Sequence, residues 1–425
     1  MAGGDHGVKR AGGARRPSYL QALGHREFAA LFTARLLSDW GDNLARVAIA
    51  SLVLSRTGSA LLTAVSFAVS FLPGVFGQAL LGPYADRLPR RTLLVVCDVL
   101  RALVVALLVI AITAHLPLVV LLVLLFGIEL VGAPFYAATS ALLTELFDDR
   151  RTYLTASSLL SATGQLNQVI GLGLGGVVVG LFGAGAALWA DAASFVASAI
   201  LLGGFVRHRP AALDLGLPGL NDLVRDTREG IAYLRRDVPL RWLIALAWVM
   251  LLTLVAPEAV ALPYARAHGD STAIGGFLLA TVPLGAAVGV IIVNRWTASE
   301  QIRRLLPLAT LAPLPLLVLA FDPPWPVAAV LFTLSGACQG YMVPLMGTFS
   351  LLAPESLRGR LNGLAGSGFA LVSVLALVLV GAAADATSPA LAVVLAAATT
   401  LIFLAITWNR WPSTVIERAA VRAYA

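Results

Sequence analysis

Arg35, Asp39, Asp42 and Arg46 are separated by four, three and four positions inside an apolar run, which brings all four charges onto one helix face. Ionised side chains in hydrocarbon are costly, so that face must look onto a polar cavity or a partner helix. Counting about 1.5 Å per residue from Phe28 puts Asp39 and Asp42 roughly 16 to 21 Å along, near the middle of a membrane. Glu129 falls at a similar depth in another apolar run. Burial disfavours a carboxylate's charge and a neighbouring arginine restores it, so acids held this way can take up and release protons near neutral pH. Asp39, Asp42 and Glu129 are the candidates for proton exchange, with Arg35 and Arg46 beside them. Fixed ion pairs, Arg35 with Asp39 and Asp42 with Arg46, fit the same spacing. Glu258, near the outer end of its run, and Asp191, at the start of its own, each fit either a lining role or an idle interfacial one. The five histidines, His6, His25, His115, His208 and His268, all fall in tails or loops, which speaks against a histidine relay.

Other chemistries are excluded by inventory. Lys9 is the only lysine, so a glycine-rich phosphate loop ending in Lys-Ser/Thr is absent and direct drive by ATP through this chain with it. Two cysteines, Cys97 and Cys338, sit in separate apolar runs and supply neither a disulfide framework nor a metal cluster. No His-Glu-x-x-His or Gly-x-Ser-x-Gly pattern occurs, so no enzymatic activity and no cofactor are expected. The net charge of +7 is spread over the loops, not clustered, which argues against nucleic acid as a partner.

The elements that must position these charges are membrane helices. The chain of 425 residues is 59% hydrophobic and 12% charged, with a mean hydropathy of +0.86, a balance that no soluble surface of this size tolerates. Separate apolar runs of about 20 residues indicate helices, and there is room for about a dozen. Six are expected between residues 28 and 206 and six between 242 and 408. Residues 1–27 read as a disordered tail without a cleavable signal, 207–241 as a polar linker and 409–425 as a second tail. In the linker Leu220, Leu223, Val224, Ile231 and Leu234 recur at helical spacing, so part of it is expected to be an amphipathic helix on the membrane surface. The expected inner loops and tails hold 25 of the 30 Lys and Arg residues, and only Arg56 and Arg266 fall in outer loops. The positive-inside rule then puts both termini in the cytoplasm.

Between the second and third runs stands Gly82-Pro83-Tyr84-Ala85-Asp86-Arg87-Leu88-Pro89-Arg90-Arg91. This stretch resembles the signature loop of the major facilitator superfamily, Gly-x-x-x-Asp-Arg-x-Gly-Arg-Arg/Lys, with Pro89 at the second glycine. The two halves also resemble each other, Leu142-Leu143-Thr144-Glu145 with Asp149-Arg150-Arg151 matching Leu351-Leu352 and Glu355 with Arg358-Gly359-Arg360. The resemblance runs from His25 to Trp408 and implies an all-α membrane protein of 12 transmembrane helices in two pseudo-symmetric six-helix halves. It also implies a conformational latch built from Gly82, Asp86, Arg87, Arg90 and Arg91 with Asp98 and Arg101, in which Asp86 docks at the start of the eleventh span, around Leu361 to Ala365. A role as topology signal alone fits the same residues. Gly171-Leu172-Gly173-Leu174-Gly175-Gly176 resembles the core of the efflux-branch antiporter motif with Leu172 in place of proline, although close helix packing needs the same glycines. The fourth span lacks the arginine of that branch's proton relay.

Arg35-Leu36-Leu37-Ser38 with Gly41-Asp42, and Arg228-Glu229-Gly230 with Tyr233, are similar to bacterial exporters of the enterobactin and macrolide efflux type. That similarity implies a secondary transporter of the bacterial cytoplasmic membrane, exporting an amphipathic small molecule in exchange for protons, with the bilayer, the substrate and protons as its partners and a monomer as its expected state. Trp40, Phe67, Phe71, Gln165, Gln168, Gln339 and Tyr341 are candidates for the substrate cavity, and a packing or lipid-facing role fits each as well. An importer or lysophospholipid flippase would share the fold. A non-transporting sensor would have less need of charges in the membrane.

Overall fold

The protein's structure, a computed structural model, describes residues 19–209 and 220–424, without the side chains of 76–87, 220–224, 226 and 420–424. All regular structure among the described residues is helical. Helix α1 spans Arg26–Thr57, α2 Ala60–Arg87, α3 Arg90–Thr113 and α4 Leu118–Leu146. A single run from Arg150 to Phe205 is broken at Gly183, where φ is 81° and ψ 165°, into α5 (150–182) and α6 (184–205). Only glycine takes that backbone without strain. The linker helix α7 covers Leu220–Arg236; α8 covers Val238–Ala267 and α9 Thr272–Val293. Then come α10, a segmented helix over Leu305–Phe321, α11 over Trp325–Leu352, α12 over Arg358–Ala386, α13 over Pro389–Trp408 and α14 over Ser413–Tyr424.

Every helix of the bundle except three is long and apolar enough to cross a bilayer on composition alone. Two of the three have a physical cause: helix α1 carries Arg35, Asp39, Asp42 and Arg46, and α10 is interrupted around Pro313, which supplies no backbone N–H. The side chains of α2 are described only as far as Val75. The result is twelve membrane helices in two six-helix halves.

Helix ends are set by local chemistry. Asp149 caps α5 by accepting from the Thr152 N–H at 3.0 Å, Asp237 caps α8 at Leu240 N at 3.0 Å, and Gly58 ends α1 in a left-handed turn with φ 69°. The linker helix α7 rests on α12, with Gly230 against Leu361 and Leu364 and Glu229 paired to Arg360 at 2.6 Å.

Tyr19 and Tyr424 share one end of the bundle, called here the terminal end. The hydrogen bonds described between the two halves lie at the opposite end. There Asp385, on the last turn of α12, accepts from Ser59 Oγ at 2.5 Å, Ala60 N at 2.6 Å and Leu61 N at 3.2 Å, the first groups of α2. Arg266 of α8 donates to the Leu54 carbonyl of α1 at 2.5 Å. Nearby, Gly176 of α5 and Gly276 of α9 are packed so closely that a Cβ on Gly176 would stand 2.6 Å from the Gly276 Cα. Small residues at such crossings let backbones touch.

Candidate functional site

The charges of α1 are distributed over three arginines from two helices. Arg35 stays on its own helix: its Nε lies 2.9 Å from both carboxylate oxygens of Asp39, and its guanidinium covers the Tyr136 ring at 4.3 Å. The Tyr136 hydroxyl donates to Asp39 Oδ1 at 3.2 Å. Arg46 does not turn back to Asp42; it reaches α4 and binds Glu129 Oε1 through Nε at 3.2 Å and Nη2 at 3.1 Å. The partner of Asp42 is Arg101 of α3, whose Nη2 donates to both of its oxygens at 2.5 and 2.6 Å. Arg101 lies at the level of Asp42, so it joins this network in the middle of the bundle.

Around Arg101 the burial is complete. Arg101, Asp98 and Asp191 are each 0% exposed. The guanidinium lies 4.1 Å over the Phe195 ring of α6, and its Nε and Nη1 have no hydrogen-bond partner. Asp98, one turn earlier on α3, accepts from Ser198 Oγ of α6 through one oxygen, and its other oxygen is unpartnered. Asp191 makes no hydrogen bond with either oxygen; it lies against Gly41, where any Cβ would run into Asp191 Oδ1 and Ser194 Oγ, and it interacts electrostatically with Asp42, Arg101 and Glu129. Five acids thus face three arginines. Sequence reasoning put Asp191 at a helix start. What signals its depth is Gly41 beside Asp42, a missing side chain next to a charge.

The signature loop divides. The side chains of Gly82, Asp86 and Arg87 lie outside the described residues. Arg90 is buried and bonds Glu145 Oε1 at 3.2 Å, and Arg91 donates to the Gly203 carbonyl. These contacts tie the terminal ends of α3, α4 and α6 within the first half. Of the glycines in α5, Gly171 and Gly175 pack on Asn43 and Val47 of α1 and Gly176 crosses to the other half. Asn167 donates to the Leu36 carbonyl at 2.7 Å.

A cavity of about 380 Å³ lies between the halves. Phe71, Gln165, Gln168 and Gln339 line it, together with Glu258. Phe67 and Tyr341 are instead buried in apolar packing clusters, and Trp40 is half-buried and outside the lining. Gln339 begins a short 3₁₀ turn, Gln339–Tyr341, inside α11. That turn lies where Gly340 meets Gly289 of α9 backbone to backbone. Among the described residues no His, Cys, Asp and Glu group has the arrangement of a metal site.

Twelve membrane helices in two halves, with a cavity between them and beside it three ion pairs, one buried and two half-buried, define a multi-pass membrane transporter. The model of the Major Facilitator Superfamily matches residues 31–349. The chain belongs to that superfamily. It is 29% identical to the multidrug efflux pump Tap of Mycolicibacterium fortuitum over 378 residues, 83% of this chain and 88% of the relative. Among solved structures it is similar to a POT family transporter bound to 5-aminolevulinic acid, with a TM-score of 0.70 at 10% identity over 94% of this chain and 98% of the other. It is also similar to a bacterial homologue of the human lysosomal transporter Spinster, inward-facing and unoccupied, with a TM-score of 0.65 at 15% identity over 93% and 97%.

Proposed function

We propose that this protein is a secondary transporter that exports an amphipathic small molecule across the bacterial cytoplasmic membrane by alternating access, in exchange for protons. The observation that carries the reading is the site's division of labour: a largely apolar cavity between the halves and, beside it, a network of five carboxyls and three arginines in the first half, buried around Arg101 and half-buried around Arg35 and Arg46. Efflux is supported by the similarity to the Tap pump. Proton exchange is supported by the charge count, because arginines keep their protons. With three arginines for five acids, the network is neutral only when two carboxyls are protonated, and Asp98 and Asp191 are the two without an arginine bonded to them.

The coupling step follows from pairing. A rocking motion that draws Arg101 off Asp42, or Arg46 off Glu129, leaves a carboxylate alone in a medium of low dielectric, where it binds a proton; return of the arginine expels it. With both termini in the cytoplasm, as the positive-inside pattern favours, the far-end bonds of Asp385 and Arg266 close the outer side and the cavity belongs to an inward-facing state. Asp86 docking on the start of α12 is the proposed latch of the opposite state.

The test is drug accumulation in an efflux-deficient bacterium expressing the wild type or Asp42→Asn, with and without a protonophore. Lower accumulation that both the variant and the protonophore abolish is the expected result. Normal export by an expressed Asp42→Asn protein removes Asp42 from coupling, and no response across a broad compound panel removes export.

A further inference from the structure

Eighteen of the described residues line the cavity between the halves, and Glu258 of α8 is the one ionisable group among them. The rest of the wall is apolar apart from three amides, Gln165, Gln168 and Gln339. Glu258 has no hydrogen bond or ion pair with any described residue, and among them Arg46 is the charge that acts on it. Arg46 is already held by Glu129 at 3.1 Å, and those two charges cancel. Glu258 is therefore the one acid of an otherwise uncharged pocket, and no arginine is bonded to it. A second polar group is left over as well: Gln339 is 5% exposed and its amide nitrogen has no partner.

A carboxylate facing an apolar cavity is stabilised by a cation that brings its own apolar body, and a buried amide donor by an acceptor on the same molecule. We infer that the cavity is a binding site for an amphipathic cation, with an amine or quaternary ammonium at Glu258, an acceptor oxygen at Gln339 and an apolar body against Leu279 and Val282. Phe71 and Phe369 also line the pocket, and their ring faces attract the same positive charge. The volume is within the range of pockets that take drug-sized ligands. The assignment rests on the reading of the chain as a small-molecule exporter and narrows it to a charge class. Anions and acidic amphipaths find no counter-charge there, because the nearby Arg46 is held by Glu129.

The experiment is fluorescence titration of the full-length protein in phosphatidylcholine nanodiscs with two dansyl-sulfonamide probes of one shape, one ending in trimethylammonium and one in its neutral tert-butyl isostere. The wild type is expected to bind the ammonium probe at least about tenfold more tightly, equivalent to about 1.4 kcal/mol. In Glu258→Gln the preference is expected to fall below twofold while the tert-butyl probe still binds, which reports an intact pocket. Gln339→Leu is expected to weaken both probes several-fold through the sulfonyl oxygens and to keep the preference. Equal affinities in the wild type, a preference that survives Glu258→Gln, or no binding of either probe overturns the inference. Binding is read without transport, so a protein that shows the preference but does not lower drug accumulation refutes export and leaves the site standing.

Discussion

Arg101 on α3 donates one guanidinium nitrogen to both carboxylate oxygens of Asp42 on α1, at 2.5 and 2.6 Å, with 0% and 7% of the two residues exposed. Removing one member of a buried pair costs about 3 to 5 kcal/mol, because the other charge is stranded. Arg101→Met is therefore expected to lower the melting temperature of the detergent-purified protein sharply. Adding Asp42→Asn to Arg101→Met is expected to recover part of the loss, since it removes the stranded carboxylate. A double variant no more stable than Arg101→Met would show that the arginine acts through Asp98, Asp191 or Phe195 instead.

Asp191→Asn isolates the question of proton storage. Neither Asp191 oxygen makes a hydrogen bond, so an isosteric amide loses no bond and the variant is expected to express and melt close to the wild type. If Asp191 holds one of the two protons proposed for the network, transport by the variant changes its dependence on external pH while substrate affinity is kept. The measurement is transport against pH in proteoliposomes. An unchanged pH profile assigns Asp191 to packing against Gly41.

The twelve helices were legible in the sequence because each is an apolar run ended by loop residues, and the break at Gly183 fell between two expected spans. The face of α1 was legible too, as a spacing. Its partners were not. Helical periodicity places Asp42 and Arg46 one turn apart and suggests that they pair, but it carries no information on which neighbour supplies the better donor, and Arg101 and Glu129 arrive from elsewhere in the chain. For the same reason the sequence does not sort the candidates for the cavity: Phe71, Gln165, Gln168 and Gln339 line the space between the halves, whereas Phe67 and Tyr341, equally aromatic or polar in sequence, are turned into the core.

Gly176→Ala tests the far-end contact between the halves. The added methyl would stand 2.6 Å from the Gly276 Cα and 2.9 Å from the Thr272 carbonyl oxygen, both backbone atoms that cannot swing aside, and overpacking of this kind costs about 1 to 3 kcal/mol. The cost falls on the state in which these ends touch. The variant is expected to favour separation at the far end, read as faster thiol labelling of a cysteine placed at Thr272 in a background without Cys97 and Cys338. Labelling at the wild-type rate would show that α5 and α9 stay together through the cycle.

Asp385 makes the other far-end contact, and it is electrostatic. Its carboxylate takes up the free N–H groups of Ala60 and Leu61 at the start of α2, together with the Ser59 hydroxyl, all from the opposite half. A carboxylate at a helix N-terminus satisfies donors that the helix leaves open and meets the positive end of its dipole. Loss of such a cap costs about 0.5 to 2 kcal/mol, which moves a two-state equilibrium by roughly 2- to 30-fold at 1.4 kcal/mol per decade. Asp385→Ala is therefore expected to shift the population toward far-end opening without preventing folding. Single-molecule energy transfer between dyes at Thr57 and Thr387, both exposed, reads the shift directly, and Asp385→Glu, which keeps the charge on a longer arm, is expected to lie between Asp385→Ala and the wild type. A distance distribution identical in all three proteins would mean that the halves are held at this end by the glycine crossing and Arg266 alone.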